Sequence, residues 1–129
     1  MNLAALLRYM QFYAHIAHNT LGGPTFFEDH EFLAELYAGY EDDYDSVVER
    51  MIGLEEECDL IEIHKAASSG LKAPKSFEAA FKEILNCEEE LCKAIESLVK
   101  GSSQGTMNLL AGIADKSEMR MFKLKQRLK

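Results

Sequence analysis

Apolar residues recur along this chain at intervals of three and four, the spacing of one helix face, in four long stretches and one short one. The first covers residues 2 to about 20, where Leu3, Leu6, Leu7, Met10, Tyr13 and Ala17 repeat, and Gly22-Gly23-Pro24 ends it. The second runs without a proline to about Leu54 on a stripe of Phe27, Leu33, Leu36, Tyr37, Tyr40, Tyr44, Val47, Val48 and Met51. Thr25 stands as its cap, with Glu28 placed for a capping box. At 1.5 Å per residue this helix is about 45 Å long. A short helix is expected over Asp59 to Ala67, closed by Ser68, Ser69, Gly70 and Pro74. Ser76 caps a third long helix over 77–99, and Gly101-Ser102-Ser103 separates it from a last one over about 104–128. The linker over residues 55–76 is far longer than an antiparallel neighbour needs. It fits a crossover between two parallel helices, so the pattern predicts an all-α four-helix bundle whose second-to-third connection carries a short helix.

Composition narrows the class. A length of 129 residues supports one domain, residues 1–129, with one core. No apolar run approaches the length of a membrane span, and Met1 to Leu7 reads as the opening of a helix, with no basic stretch ahead of it as in a signal peptide. Cys58, Cys87 and Cys92 form no CxxC and leave one thiol over in any pairing, which points to a reduced, cytoplasmic setting. The net charge of -8 disfavours wrapping nucleic acid and suits a protein that collects cations.

The candidate chemistry lies between His18 and Arg50. His18 and His30 flank the glycine-proline turn, and Asp45 and Glu49, four apart, share one face of the second helix. Imidazole with carboxylate suits iron, zinc or manganese better than calcium or magnesium. His30 and Asp45 are fifteen residues apart, roughly 22 Å along one helix. One chain cannot close all four around an ion, whereas a second copy lying antiparallel can, giving two sites per two-fold dimer. Taken singly the residues have plainer readings. His18 or His15 can serve as a helix-end cap, His30 as a surface residue, and Glu41-Asp42-Asp43-Tyr44-Asp45 as a solvated face. His64 reads as structural or surface, and Cys87 and Cys92 as small hydrophobes.

Taken together, the order His18, eleven residues, His30, fourteen residues, Asp45, three residues, Glu49-Arg50 resembles the ferroxidase signature of the Dps family, the miniferritins that protect DNA in starved cells. Gly23, Pro24, Phe26 and Phe27 stand where that family has a turn and paired aromatics, and Gly105-Thr106 with Leu109 and Leu110 resembles the start of its last helix. The resemblance implies a ferritin-like subunit in a hollow dodecamer. It also implies that iron is oxidised from Fe(II) to Fe(III) by peroxide or dioxygen at sites between subunits, with His18, His30, Asp45 and Glu49 as metal-binding and catalytic residues, and that ferric oxide is stored inside. Three positions depart from the pattern. Ala34 stands where an acid usually follows the second histidine, Asn19 where an aromatic follows the first, and no lysine-rich arm precedes the first helix. Tyr13 or Tyr44 would then have to take over radical trapping, and DNA binding, left to Lys123, Lys125, Arg127 and Lys129, is not expected. The rival reading is a non-enzymatic scaffold of the same fold that binds at most one cation. Glu-x-x-His pairs for a site within the bundle, closed zinc clusters, calcium loops, P-loops and dinucleotide motifs are all absent from the sequence.

Overall fold

A computed structural model describes all 129 residues. It contains five helices: α1 (Leu3–Thr20), α2 (Phe26–Gly53), α3 (Leu60–Ser68), α4 (Phe77–Val99) and α5 (Gln104–Arg127). α1 packs on α2, α3 and α4, while α5 packs on α4 and α2. The start of α2 meets the end of α5, where Arg127 reaches Asp29, and the start of α4 lies at the same end, with Phe81 beneath Arg127 and against Phe32. α2 and α4 therefore run parallel, as the long connection predicts, and α3 sits on the crossover between them.

Local chemistry sets the helix ends. Asn2 Oδ1 accepts from the Ala5 N–H at 2.8 Å, the Asp59 carboxylate accepts from Ile61 and Glu62, and Ser76 and Ser103 accept from Ala79 and Thr106. The expected Thr25–Glu28 capping box does not form. Thr25 Oγ1 instead donates to Asp29 Oδ2 at 2.6 Å, because Asp29 is buried and already held by Arg127. Gly23 has φ +125°, a conformation that a side chain rarely adopts, and this lets the chain reverse between α1 and α2.

The core is a continuous apolar seam whose largest fully enclosed members include Tyr40, Phe81, Leu7 and Met10. Leu3 to Leu7 are all buried, because α3 covers the side of α1 that faces away from α2 and α4. The acidic run in α2 is not uniformly solvated. Glu41, Asp42 and Asp45 are exposed, but Asp43 falls three after Tyr40 on the buried stripe and is fully enclosed.

Candidate metal centre

The Gly22-Gly23-Pro24 turn brings His18, in the last turn of α1, beside His30, in the second turn of α2. Their rings stack with centroids 3.5 Å apart and planes 18° from parallel. His18 Nδ1 donates to the main-chain carbonyl of His30 at 2.8 Å, and His30 Nδ1 donates to the carbonyl of His18 at 2.9 Å. A carbonyl only accepts, so Nδ1 carries the proton in each ring, and the neutral imidazole is left with its lone pair on Nε2. That tautomer, fixed by a main-chain oxygen, is the one a histidine adopts when Nε2 binds a metal. Phe26 stacks on His30 with centroids 4.6 Å apart, and Tyr37 meets His18 edge-on at 5.3 Å.

His15 is not an end cap; it is exposed and stacks on Tyr37 at 4.1 Å. The aromatic residue nearest His18 is thus Tyr37. Tyr13 lies against Tyr9, with its pKa pushed up to about 12 by burial and by Glu83, and Tyr44 lies under the Arg8 guanidinium at 3.5 Å. His64 bonds the Leu60 carbonyl through Nδ1 and packs edge-on to Tyr44, in keeping with a structural role.

Asp45 and Glu49 are exposed on the outer face of α2 and form no ion pair within the chain. The fold brings the two histidines together and keeps the two carboxylates at the far end of the same helix. No three His, Cys, Asp or Glu side chains of the single chain converge closely enough to hold an ion. Arg50, beside Glu49 in sequence, does not pair with it. Near His30, Ala34 offers no oxygen, and Glu35 turns outward to within 3.9 Å of Lys123.

A second polar cluster occupies the bundle interior. Glu88 of α4 is fully buried; it accepts from Tyr40 Oη at 2.7 Å, from Ser117 Oγ at 2.7 Å and from Arg120 Nε at 2.5 Å. Arg120 also reaches Asp43 at 3.4 Å, and Lys116 closes on the same carboxylate from the rim. Burial works to lower the Arg120 pKa, but the hydrogen bonds it donates to Glu88 reverse this and keep the guanidinium charged. Burial, reinforced by Glu88, holds the Tyr40 phenol well above its usual range. The sequence carries a signal for this cluster: Glu88 interrupts the stripe Phe81, Ile84, Leu91, Ile95, and Ser117 and Arg120 interrupt Leu110, Ile113, Leu124. Cys87 is buried, and desolvation together with Glu83 raises its pKa, so its thiol is no nucleophile.

The family model of the ferritin-like domain matches the chain over residues 1–129. The chain belongs to the ferritin-like family. Members of that family generally handle iron, often as oxidoreductases, and typically assemble into oligomers. Among the curated proteins, none matches this ferritin-like chain. No helix of it is long and apolar enough to cross a membrane.

Proposed function

We propose that this ferritin-like chain is a Dps-like miniferritin, a ferroxidase that oxidises Fe(II) at sites shared by two subunits and stores ferric oxide inside a dodecameric shell. The observation that supports the reading is the reciprocal pair of hydrogen bonds between His18 and His30, which occupies Nδ1 of both rings and leaves Nε2 of each free to meet a metal at one end of α2. Asp45 and Glu49, exposed and unpaired at the other end, supply the oxygen ligands that favour the oxidised ion. An antiparallel second copy brings the two halves together. The midpoint between His30 and Asp45 falls between Tyr37 and Ala38, and the small, exposed Ala38 lets two α2 helices approach closely there. Exposed Leu60 and Ile61 on α3 and half-buried Phe12 on α1 form an apolar border that the same contact would cover.

Iron is the substrate. One Fe(II) binds His18 of one subunit with the partner subunit's Asp45 and Glu49; a second binds near His30, where Ala34 leaves water to fill an oxygen position. Two Fe(II) reduce one hydrogen peroxide, taking up two protons and giving two Fe(III) and two waters. Because both electrons leave from one site, hydroxyl radical is not released.

The reading is tested by mixing Fe(II) with peroxide or dioxygen and following Fe(III) optically, with oligomeric state measured by sedimentation. Wild type should be an oligomer that oxidises iron much faster than buffer does, and His18→Ala and Glu49→Gln should each slow the initial rate by about tenfold or more while keeping their helicity. Equal rates for all three proteins, or a wild type that is monomeric at micromolar concentration, would reject the shared site. The rival, a scaffold binding at most one cation, draws on Ala34 and the outward-turned Glu35. Anomalous scattering from iron-soaked crystals separates the two: two adjacent iron peaks per site support the ferroxidase, and none supports the scaffold.

A further inference from the structure

At the end of the bundle away from the histidines, the first residues of α1 and α5 and the last turns of α2 and α4 enclose a cavity of about 430 Å³. Its walls are largely apolar, with Leu3, Val47, Met51, Leu98, Leu109 and Leu110 among them, and its mouth carries Met1, Leu54 and Leu98, three large apolar side chains left exposed. The volume is that of a site for a small molecule.

One cation faces into this apolar space. Arg50 is half-buried in the wall, and it alone of the four arginines has no carboxylate partner: Arg8 reaches Glu41, Arg120 holds Glu88 and Asp43, and Arg127 holds Asp29. The lack of a partner is notable in a chain with 22 acidic residues, one of which, Glu56, borders the same cavity without pairing. The backbone of α5 makes room for the guanidinium. A Cβ on Gly105 would lie 2.9 Å from Arg50 Nη1, so any side chain at that position would displace it. Arg50 has no protein carboxylate to pair with, its guanidinium borders the apolar space, and an anionic ligand held there would supply charge-assisted hydrogen bonds.

From the unpaired Arg50 at an apolar cavity we infer that this end of the bundle binds a medium-chain alkyl carboxylate, its head group on Arg50 and its chain among the leucines. A purely apolar ligand leaves the guanidinium unpaired, and a small inorganic anion leaves the apolar volume unfilled, so the two features together select an amphiphile. The inference does not rest on the proposed iron chemistry, although Arg50 follows the proposed ligand Glu49 in sequence.

Titration calorimetry of the assembled protein with decanoate tests it. Saturable binding at about one site per subunit is expected, weakened at least tenfold for decanol, which keeps the chain and lacks the charge. Arg50→Gln should weaken decanoate binding to a similar degree. Ala94→Phe, which fills the cavity and leaves Arg50 in place, should also weaken it, both variants being first shown to keep wild-type helicity and sedimentation. Absence of saturable binding to wild type, or either folded variant binding decanoate as tightly as wild type, overturns the inference. Flotation with phosphatidylglycerol vesicles separates a free acid from a membrane acyl chain. Protein that stays in solution agrees with the site described, and Arg50-dependent flotation overturns it in favour of a membrane contact.

Discussion

Arg120 and Glu88 meet inside the bundle with Nε 2.5 Å from Oε2, and both side chains are withdrawn from water. Breaking such a pair leaves an uncompensated interior charge, which costs about 3–5 kcal/mol, whereas removing both partners costs much less. Arg120→Leu and Glu88→Met are each expected to lower the denaturant midpoint markedly, and the double replacement should recover much of the loss. A double variant as unstable as the sum of the singles would show that the two residues act separately.

Asp29 gives the fold an acid sensitivity. Burial works to raise its pKa, but hydrogen bonds from Arg127 and Thr25 outweigh this and hold it below the ordinary carboxylate value. A depressed folded pKa contributes stability that is present above the unfolded value, about 3.9, and is lost as pH falls through the folded one. Wild type should therefore lose stability below about pH 4 more steeply than Asp29→Asn does. Denaturant midpoints measured from pH 5 to pH 2.5 check this, and parallel curves would remove Asp29 from the account.

The turn that sets the histidines side by side depends on Gly23. At φ +125° a side chain adds strain on the order of 1–3 kcal/mol. Gly23→Ala should lower stability by that order and slow iron oxidation more than a mutation of equal cost elsewhere, such as Val48→Ala, because the spacing of His18 and His30 changes with it. Equal rates for the two variants would show that the turn has no bearing on the site.

Binding to duplex DNA is not expected. Of the four basic residues near the C-terminus, Arg127 is bidentate on Asp29 and Lys123 lies 3.9 Å from Glu35, so Lys125 and Lys129 alone remain to meet phosphates against a net charge of -8. A gel shift in about 0.15 M salt should show no stoichiometric complex. A salt-sensitive complex that disappears in Lys125→Glu/Lys129→Glu would prove the tip active.

The long helices were legible because their apolar stripes are long and their ends carry Gly22-Gly23-Pro24, Ser76 and Gly101 to Ser103. The crossover was legible from the length of its segment alone. Asp43 was misplaced on a solvated face because neighbours in sequence suggest a charge run, while helical register, three residues on from Tyr40, decides its burial. The Thr25 box failed for a related reason: Asp29 is held by Arg127, 98 residues away, and no local pattern announces such a partner. Of the candidate site, spacing indicated which residues belong to which end of α2. The stacked rings and crossed hydrogen bonds of His18 and His30 depend on the turn's three-dimensional path, which spacing does not encode.

The two arginines of α5 have a consequence for its alignment. Arg120 and Arg127 are about two helical turns apart, and each is fastened to acids on neighbouring helices, Arg120 to Asp43 and Glu88 and Arg127 to Asp29. An apolar seam by itself tolerates sliding, since leucine on leucine is much the same one turn along. A slide of α5 by a single turn, about 5.4 Å, would pull the Arg120 guanidinium off Glu88 and the Arg127 fork off Asp29 at once. The oily surfaces bring the last helix to the bundle, and its axial position is chosen by a key cut in charge.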